Sequence, residues 1–568
     1  MRQKKTLTKL IALCIAIITT CSAFLVSAGC TNDSPIDTSK SQLKVYSFTG
    51  GVGRAFLDDA ITRFQNDYAN YEFEPGSGKK GVQIIPSAVK STEINTLASS
   101  GNHVLFAEAA NYDALVSGED VLEVTDIVTK PLNQVLGSDV CSETATIESK
   151  LYPESKDYLT FKDGKYFGLP HYTYYSTLIY NKKLFDDNKL YFINNPGEVT
   201  QPEEYFIFSS TDVKSCGPDG KMGTSDDGLP ATWDEFWILC DYMKETITPF
   251  TFTNTNSGES IEYLLNAVYL NLAGKDQARL NYTYDSKGEK ITIIESFDTQ
   301  GNPVTKEEVV TNENYGVVLN SQLAKYQAIE VANKVINATD YRSTDSKTGL
   351  NMLRVQQNFI ESRHYGSKPT AFLIEGSYWY NEAADANYFD DAKNAYNGFE
   401  SMNEFLPMPL PRVYSGTAED VKQVASTKKD GIIKHVVNDQ PDAYGVINAK
   451  FAGDTNLINL AKMFFAYCYT QESLEQFTIL SRCPKNMNYE IPEGKLTGYA
   501  KANWEYYKSA DLVNPYSSSD IYMNKKRQFS LHLSNSFWRG KTYTSVYASM
   551  RDGRTPQSYF EDVMIKMA

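Results

Sequence analysis

Along residues 43–48 apolar and polar side chains alternate, as on a half-buried strand, and the run stops at Thr49-Gly50-Gly51. Leu57, Ala60, Ile61, Phe64 and Tyr68 then recur at helical spacing. Residues 82–85 predict a second strand, 91–99 a helix and 104–106 a third strand. Such alternation predicts an α/β chain with a largely parallel sheet. Helical periodicity returns at Leu323, Tyr326, Val331, Val335 and Ile336, at Leu457, Leu460, Ala461, Phe464 and Cys468, and over 557–567. Two stretches depart from this rhythm. Residues 188–230 are rich in Pro, Gly, Asp and Ser with little periodicity, which predicts a long insertion. Residues 280–308 hold Asp285-Ser286-Lys287-Gly288 ahead of Ile291-Thr292-Ile293-Ile294, a hairpin signature.

The N-terminus reads differently again. Arg2, Lys4, Lys5 and Lys9 precede an apolar run over 10–26, followed by small residues and Cys30. A basic head, an apolar stretch and a small-residue cleavage site predict a secretion signal over 1–29. The run is short for a spanning helix and no stop-transfer pattern follows. Ser27-Ala28-Gly29-Cys30 also resembles the bacterial lipobox, with Ser27 at the usual leucine position, which implies acylation of Cys30; the alternative is plain cleavage by ordinary signal peptidase. Residues 30–42 then form the lipid anchor and a polar tether.

Charge and cysteines narrow the function classes. Losing the four positive charges of residues 1–29 takes the net charge from −15 to −19, which disfavours nucleic acid as a partner. A chain of 568 residues exceeds what one core serves, so at least two lobes are expected. Cys141, Cys216, Cys240, Cys468 and Cys483 remain after the anchor. Their odd number and wide spacing argue against a disulfide framework, although Cys468 and Cys483 could pair, and no pair has zinc-finger spacing. Cys468 falls within a helical pattern, where a buried free thiol fits better. Tyrosine alone numbers 39, suited to polar-ligand clefts and equally to a core.

The catalytic and metal motifs are few. Gly76-Ser77-Gly78-Lys79-Lys80-Gly81 fails as a phosphate loop: Phe73 stands where a glycine is needed and Lys80 where Ser or Thr should reach magnesium. The histidines lack metal spacing and no GxSxG elbow occurs. A glycosidase needs only two well-placed carboxylates, which spacing cannot exclude among 70 acidic residues. Residues 217–228 place Asp219, Asp226 and Asp227 in a loop of four glycines. This is a candidate for structural calcium, or else a solvated acidic turn. No cofactor is required by any motif.

Leu169-Pro170-His171-Tyr172-Thr173-Tyr174-Tyr175 followed by Tyr180-Asn181-Lys182 resembles the first interlobe crossover of family 1 extracellular solute-binding proteins. Pro230-Ala231-Thr232-Trp233-Asp234-Glu235-Phe236 resembles that family's helix start, with Thr232 as N-cap and Glu235 closing a capping box. The segment 371–379, the proline-rich strand 405–411 and Ala461-Lys462-Met463-Phe464-Phe465 resemble its later motifs, in the family's order. The resemblance runs from Leu43 onward, and the two insertions are the departures.

The resemblance implies a two-lobed periplasmic-binding-protein-like α/β fold with an interlobe hinge. One lobe would hold 43–169 with 406–482 and the other 175–404 with 485–568. It implies a lipid-anchored monomer on the extracellular face of the membrane. Such a protein catches a carbohydrate by cleft closure, hands it to the permease subunits of an ABC importer and catalyses nothing. The family's cleft positions fall on Gly50, Gly51, Glu108, Asn111, Tyr174, Tyr175, Glu375, Trp379, Arg482 and Trp538. Trp379 would be the stacking ring and Glu108 a hydroxyl partner. Core or structural roles are the alternatives for each. A surface glycoside-active enzyme and a peptide- or polyamine-binding protein of the same fold remain open at this point.

Overall fold

The computed structural model describes residues 35–567 apart from 49, 90–99, 109–115, 162–163, 198, 208, 254–258, 284–287, 312, 349, 366–367, 514–536 and 539–543. The signal over 1–29, Cys30, Asn111 and the expected helix over 91–99 therefore lie outside the described residues. Among the described residues no helix is long and apolar enough to cross a membrane.

Two mixed sheets organise the chain. The first takes β1 (Ser41–Phe48), β2 (Val82–Val89), β3 (Val104–Glu108), β4 (Leu169–Tyr174) and, much later in the chain, β10 (Gln440–Ile447), in the order β2-β1-β3-β10-β4. The second takes β5 (Ser176–Asn181), β6 (Thr248–Thr251), β7 (Thr370–Gly376) and β8 (Phe405–Met408), in the order β8-β5-β7-β6. A small parallel pair, β9 (Val436–Asn438) with β11 (Asp511–Val513), lies where the chain returns between the sheets.

The expected parallel pairing holds for β1 with β2 and β3, but β10 runs antiparallel to both β3 and β4. Strands that arrive from the other lobe are free of the right-handed βαβ constraint that keeps sequential strands parallel. Every residue of β4 and of β7 is buried, as expected for strands covered by helices on both faces.

The periodic segments form helices: α1 (Ala55–Asp67), α2 (Trp233–Met243), α3 (Glu259–Thr283), α4 (Leu323–Asn337), α5 (Trp379–Asp385), α6 (Ala418–Ser426), α7 (Thr455–Tyr467), α8 (Gln471–Ser481), α9 (Gly498–Ser509) and α10 (Pro556–Met567). Thr232 caps α2 by accepting the Glu235 N–H at 3.2 Å. The Glu235 carboxylate accepts the N–H groups of Ala231 and Ala418, at 2.8 and 2.9 Å. The hairpin is present as Lys290–Phe297 paired with Pro303–Val309, but its turn is 298–302, after the strand that Asp285-Gly288 was expected to close. Asp298 Oδ1 accepts the N–H groups of both Gln300 and Asn302, at 2.8 Å each, and so makes the turn locally.

Two cores follow the sheets. Leu43, Phe64, Phe106, Phe464 and Trp504 belong to the first; Leu178, Trp233, Phe236, Phe372 and Phe560 belong to the second. The return to the first lobe, expected at Leu406, happens later: Phe405–Met408 is an outer strand of the second sheet, with Leu406 opposite Tyr180, and the chain rejoins the first sheet only at Gln440. The tail crosses back more gradually than expected, since Met487, Tyr489, Leu496 and Trp504 bury in the first core. Cys141, Cys216, Cys240, Cys468 and Cys483 are all free and buried.

Candidate interlobe site

The lobes touch where the turn after β1 meets the segment after β7. The turn is tight, with the Val52 N–H donating to the Gly50 carbonyl at 2.9 Å. Gly51 has φ +75, and a Cβ there would stand 3.2 Å from the Tyr378 ring. At Gly53, φ +67, a Cβ would meet Asn381 Nδ2 at 2.7 Å and Asp385 Oδ2 at 2.8 Å. These glycines let one lobe's backbone press against the other lobe's α5.

Three tyrosines converge here from both lobes. Tyr174, at the end of β4, meets the Tyr378 ring edge-on, with centroids 5.2 Å apart and planes at 78°. Tyr263, on α3, places its hydroxyl 2.9 Å from the Tyr378 hydroxyl. Tyr263 and Tyr378 are half-buried and pack against the first core although they belong to the second lobe. Burial, with Tyr263, Glu375 and Glu382 close by, holds the Tyr378 phenol well above its ordinary pKa, so it stays neutral and able to donate. Part-exposed phenols of this kind offer flat apolar faces and hydroxyl groups together.

Glu262 adds a carboxyl beside Tyr263 on α3. It is half-buried, has no hydrogen-bond or ion-pair partner among the described residues, and burial pushes its carboxyl up to about 8. Below that pH the neutral form both donates and accepts hydrogen bonds. Its unfolded pKa is the ordinary 4.5, so the native state holds the extra proton between pH 4.5 and about 8, and stability falls as pH rises through this window. Glu262→Gln should therefore raise the melting temperature at pH 8.5 and leave it nearly unchanged at pH 4.5. Thermal unfolding of both proteins at the two pH values checks this.

The expected site residues separate on inspection. Tyr174 and Gly51 reach the junction, with Gly50 at its turn. Trp379, expected as the stacking ring, does not: it is fully buried among Phe359, Phe389, Phe405 and Tyr499, at ring separations of 5.5–5.9 Å. Tyr378, one residue earlier, is the half-buried ring at the junction. Tyr175 is also core, stacked on Tyr506 at 5.0 Å with its hydroxyl donating to Asn503. Glu375 is fully buried and accepts the Gly376 N–H at 3.0 Å, holding the turn that carries Tyr378. Arg482 bridges the lobes: its Nη1 donates to Asn381 Oδ1 at 3.2 Å and its guanidinium lies 5.3 Å from the Tyr380 ring. Trp538 packs in the second core with Phe537 and Phe560, and its Nε1 donates to the Tyr559 hydroxyl at 3.1 Å. Glu108 ends β3 opposite Ala443. Its side chain, like Asn111, lies outside the described residues.

The acidic loop uses its carboxylates internally. Asp219 accepts the Lys221 N–H, Asp226 accepts the Asp219 N–H and the Thr224 hydroxyl, and Asp227 accepts the Gly223 N–H, at 2.6–3.0 Å. Burial, with the charge of Asp219 beside it, pushes Asp226 up to about 7. Among the described residues no group of three or more His, Cys, Asp or Glu side chains is placed to hold a metal ion.

No family model matches the chain, and no curated protein matches it. Solved structures do. A chitin oligosaccharide binding protein superposes with a TM-score of 0.51 at 15% identity, over 93% of this chain and 98% of that one. The two chains share one fold. The mannobiose-bound BlMnBP1 binding protein of an ABC transporter from Bifidobacterium animalis subsp. lactis aligns with a TM-score of 0.49 at 12% identity, over 94% and 96%. The raffinose-bound RafE aligns with a TM-score of 0.49 at 11% identity, over 92% and 100%. The two-lobed binding-protein architecture expected from the sequence is thus the one this chain adopts.

Proposed function

We propose that this protein captures an oligosaccharide between its lobes and delivers it to an ABC importer, without chemical change. The observation that carries the reading is the convergence of Tyr174 from one lobe with Tyr263 and Tyr378 from the other, on the fold of a chitin oligosaccharide binding protein. Sugar rings present apolar C–H faces that stack on phenols, and their hydroxyl rims suit Tyr hydroxyls. A ligand touching both lobes favours the closed state over the open one, which is the signal a membrane partner can read. Acylation at Cys30, from the lipobox-like Ser27-Ala28-Gly29-Cys30, would hold the protein on the extracellular face beside the permease subunits.

A thermal-shift screen of the chain against mono-, di- and oligosaccharides, peptides and polyamines tests this. A ligand that binds only the folded state at a hundredfold excess over Kd adds about 2.7 kcal/mol, read as a higher melting temperature. An oligosaccharide should give that shift and be recovered intact. A shift from peptides or polyamines alone would refute the carbohydrate assignment, and consumption of the sugar would make the protein an enzyme.

A further inference from the structure

Although the chain is strongly acidic, one pocket of about 440 Å³ gathers five cations, Lys275, Arg412, Lys428, Lys429 and Lys434, against three carboxylates. The carboxylates are partly engaged: Asp276 lies 4.0 Å from Arg279, Asp430 accepts the Ile432 N–H at 3.3 Å, and Asp511 attracts Arg412. The four lysines are exposed and have no ion-pair partner among the described residues.

Arg412 is the unusual member. Its Nε donates to the Asn271 carbonyl at 2.5 Å, but Nη1 is buried and has no hydrogen-bond partner among the described residues. Nη2 makes no hydrogen bond among the described residues and faces Gly274, 3.8 Å from where a Cβ would stand. Arg412 as a whole is half-buried, and a buried Nη1 with an unmet N–H is destabilising unless something in the pocket accepts from it.

A second set of donors meets it there. Gly274, at φ 76 and ψ 165, breaks α3 into two helical runs. Lys275, Asp276 and Gln277 open the second run, at the positive end of its helix dipole. All three residues line the same pocket as Arg412.

We propose that this pocket binds a phosphate group, held by the Arg412 guanidinium, the N-terminus of the second α3 run and the surrounding lysines. A tetrahedral dianion offers several acceptor oxygens to donors arriving from different directions, and a helix start joined to an arginine fork matches it. The site is separate from the tyrosine junction: Tyr263 lies eleven residues before the break at Gly274, about 16 Å at 1.5 Å per residue. It therefore stands whether or not the oligosaccharide reading does.

The probes are inorganic phosphate, followed by ³¹P NMR as the chain is added, and vesicles of phosphatidylglycerol or phosphatidylcholine, followed by co-sedimentation. Saturable broadening of the phosphate line, competed by sulfate and weakened at least tenfold in the Lys428→Gln/Lys429→Gln variant, is expected. These two lysines are exposed, so their replacement leaves the fold intact. Arg412→Lys, which keeps the charge and removes the fork, should weaken binding as well. Sedimentation with phosphatidylglycerol vesicles alone, lost in the double lysine variant, would support the site with a lipid headgroup as the phosphate source. No response to either probe, or a response unchanged in both variants, overturns the proposal.

Discussion

Tyr378→Ala should lower oligosaccharide affinity about thirtyfold, a loss of roughly 2 kcal/mol typical of a central aromatic contact, while the melting temperature changes little. Tyr378 is half-buried, stands at the meeting of the two lobes, and touches Tyr174 and Tyr263 across that junction. Trp379→Ala should do the opposite. Its ring is enclosed by Phe359, Phe389, Phe405 and Tyr499, so truncation leaves a cavity and costs about 3–5 kcal/mol of stability. Calorimetric titration with the oligosaccharide from the thermal screen, paired with urea unfolding, separates the two effects. If Trp379→Ala keeps full stability and loses binding, the one-residue assignment made here is reversed.

Lys485→Met should stabilise the protein at neutral pH and flatten its stability profile above it. Lys485 is buried beneath the first sheet, with its ammonium 4.2 Å from the Phe477 ring centre and 4.9 Å from that of Tyr469. Among the described residues no carboxylate pairs with it, and burial lowers its pKa from 10.5 to about 7. Between those values the unfolded chain binds a proton that the native state has released, so native stability rises as pH increases from about 7 towards 10.5. From pH 7 to 9.5 the gain is on the order of 3 kcal/mol. His171, fully buried beside it with neither ring nitrogen hydrogen-bonded among the described residues, is held well below its ordinary pKa and adds the same sign of slope at more acidic pH. Urea unfolding of wild type and Lys485→Met at pH 7 and 9.5 checks this. Equal slopes in the two proteins would show that Lys485 does not titrate in this range.

Much of the architecture was legible in the order of residues. Apolar spacing marked α1, α4, α7 and α10, because each must turn one face to a core and that face repeats every 3.6 residues. Thr232 could be named as a cap because capping depends on only three or four neighbouring residues. The lobe boundaries were less legible. Phe405–Met408 and Gln440–Ile447 are similar extended runs, and only their partners, β5 in one case and β3 with β4 in the other, place them in different sheets.

The site shows the same division. That a ring after β7 would reach the junction followed from the family resemblance, which placed Trp379 there. Which ring faces outward did not. Tyr378 and Trp379 are adjacent, and the rotation of α5 against Phe359 and Phe405 turns the tryptophan inward. Tyr174 and Tyr175 part in the same way: successive side chains on extended backbone point to opposite sides, and Tyr175 falls on the side covered by Tyr506. Glu262 and Tyr263 left no local signal at all, since a helix start looks the same wherever it is aimed. The sequence by itself determined the segments, their apolar faces and their caps, which short-range periodicity and hydrogen bonding control. The tertiary structure decided which face of each segment met the other lobe, because that depends on contacts between residues hundreds of positions apart.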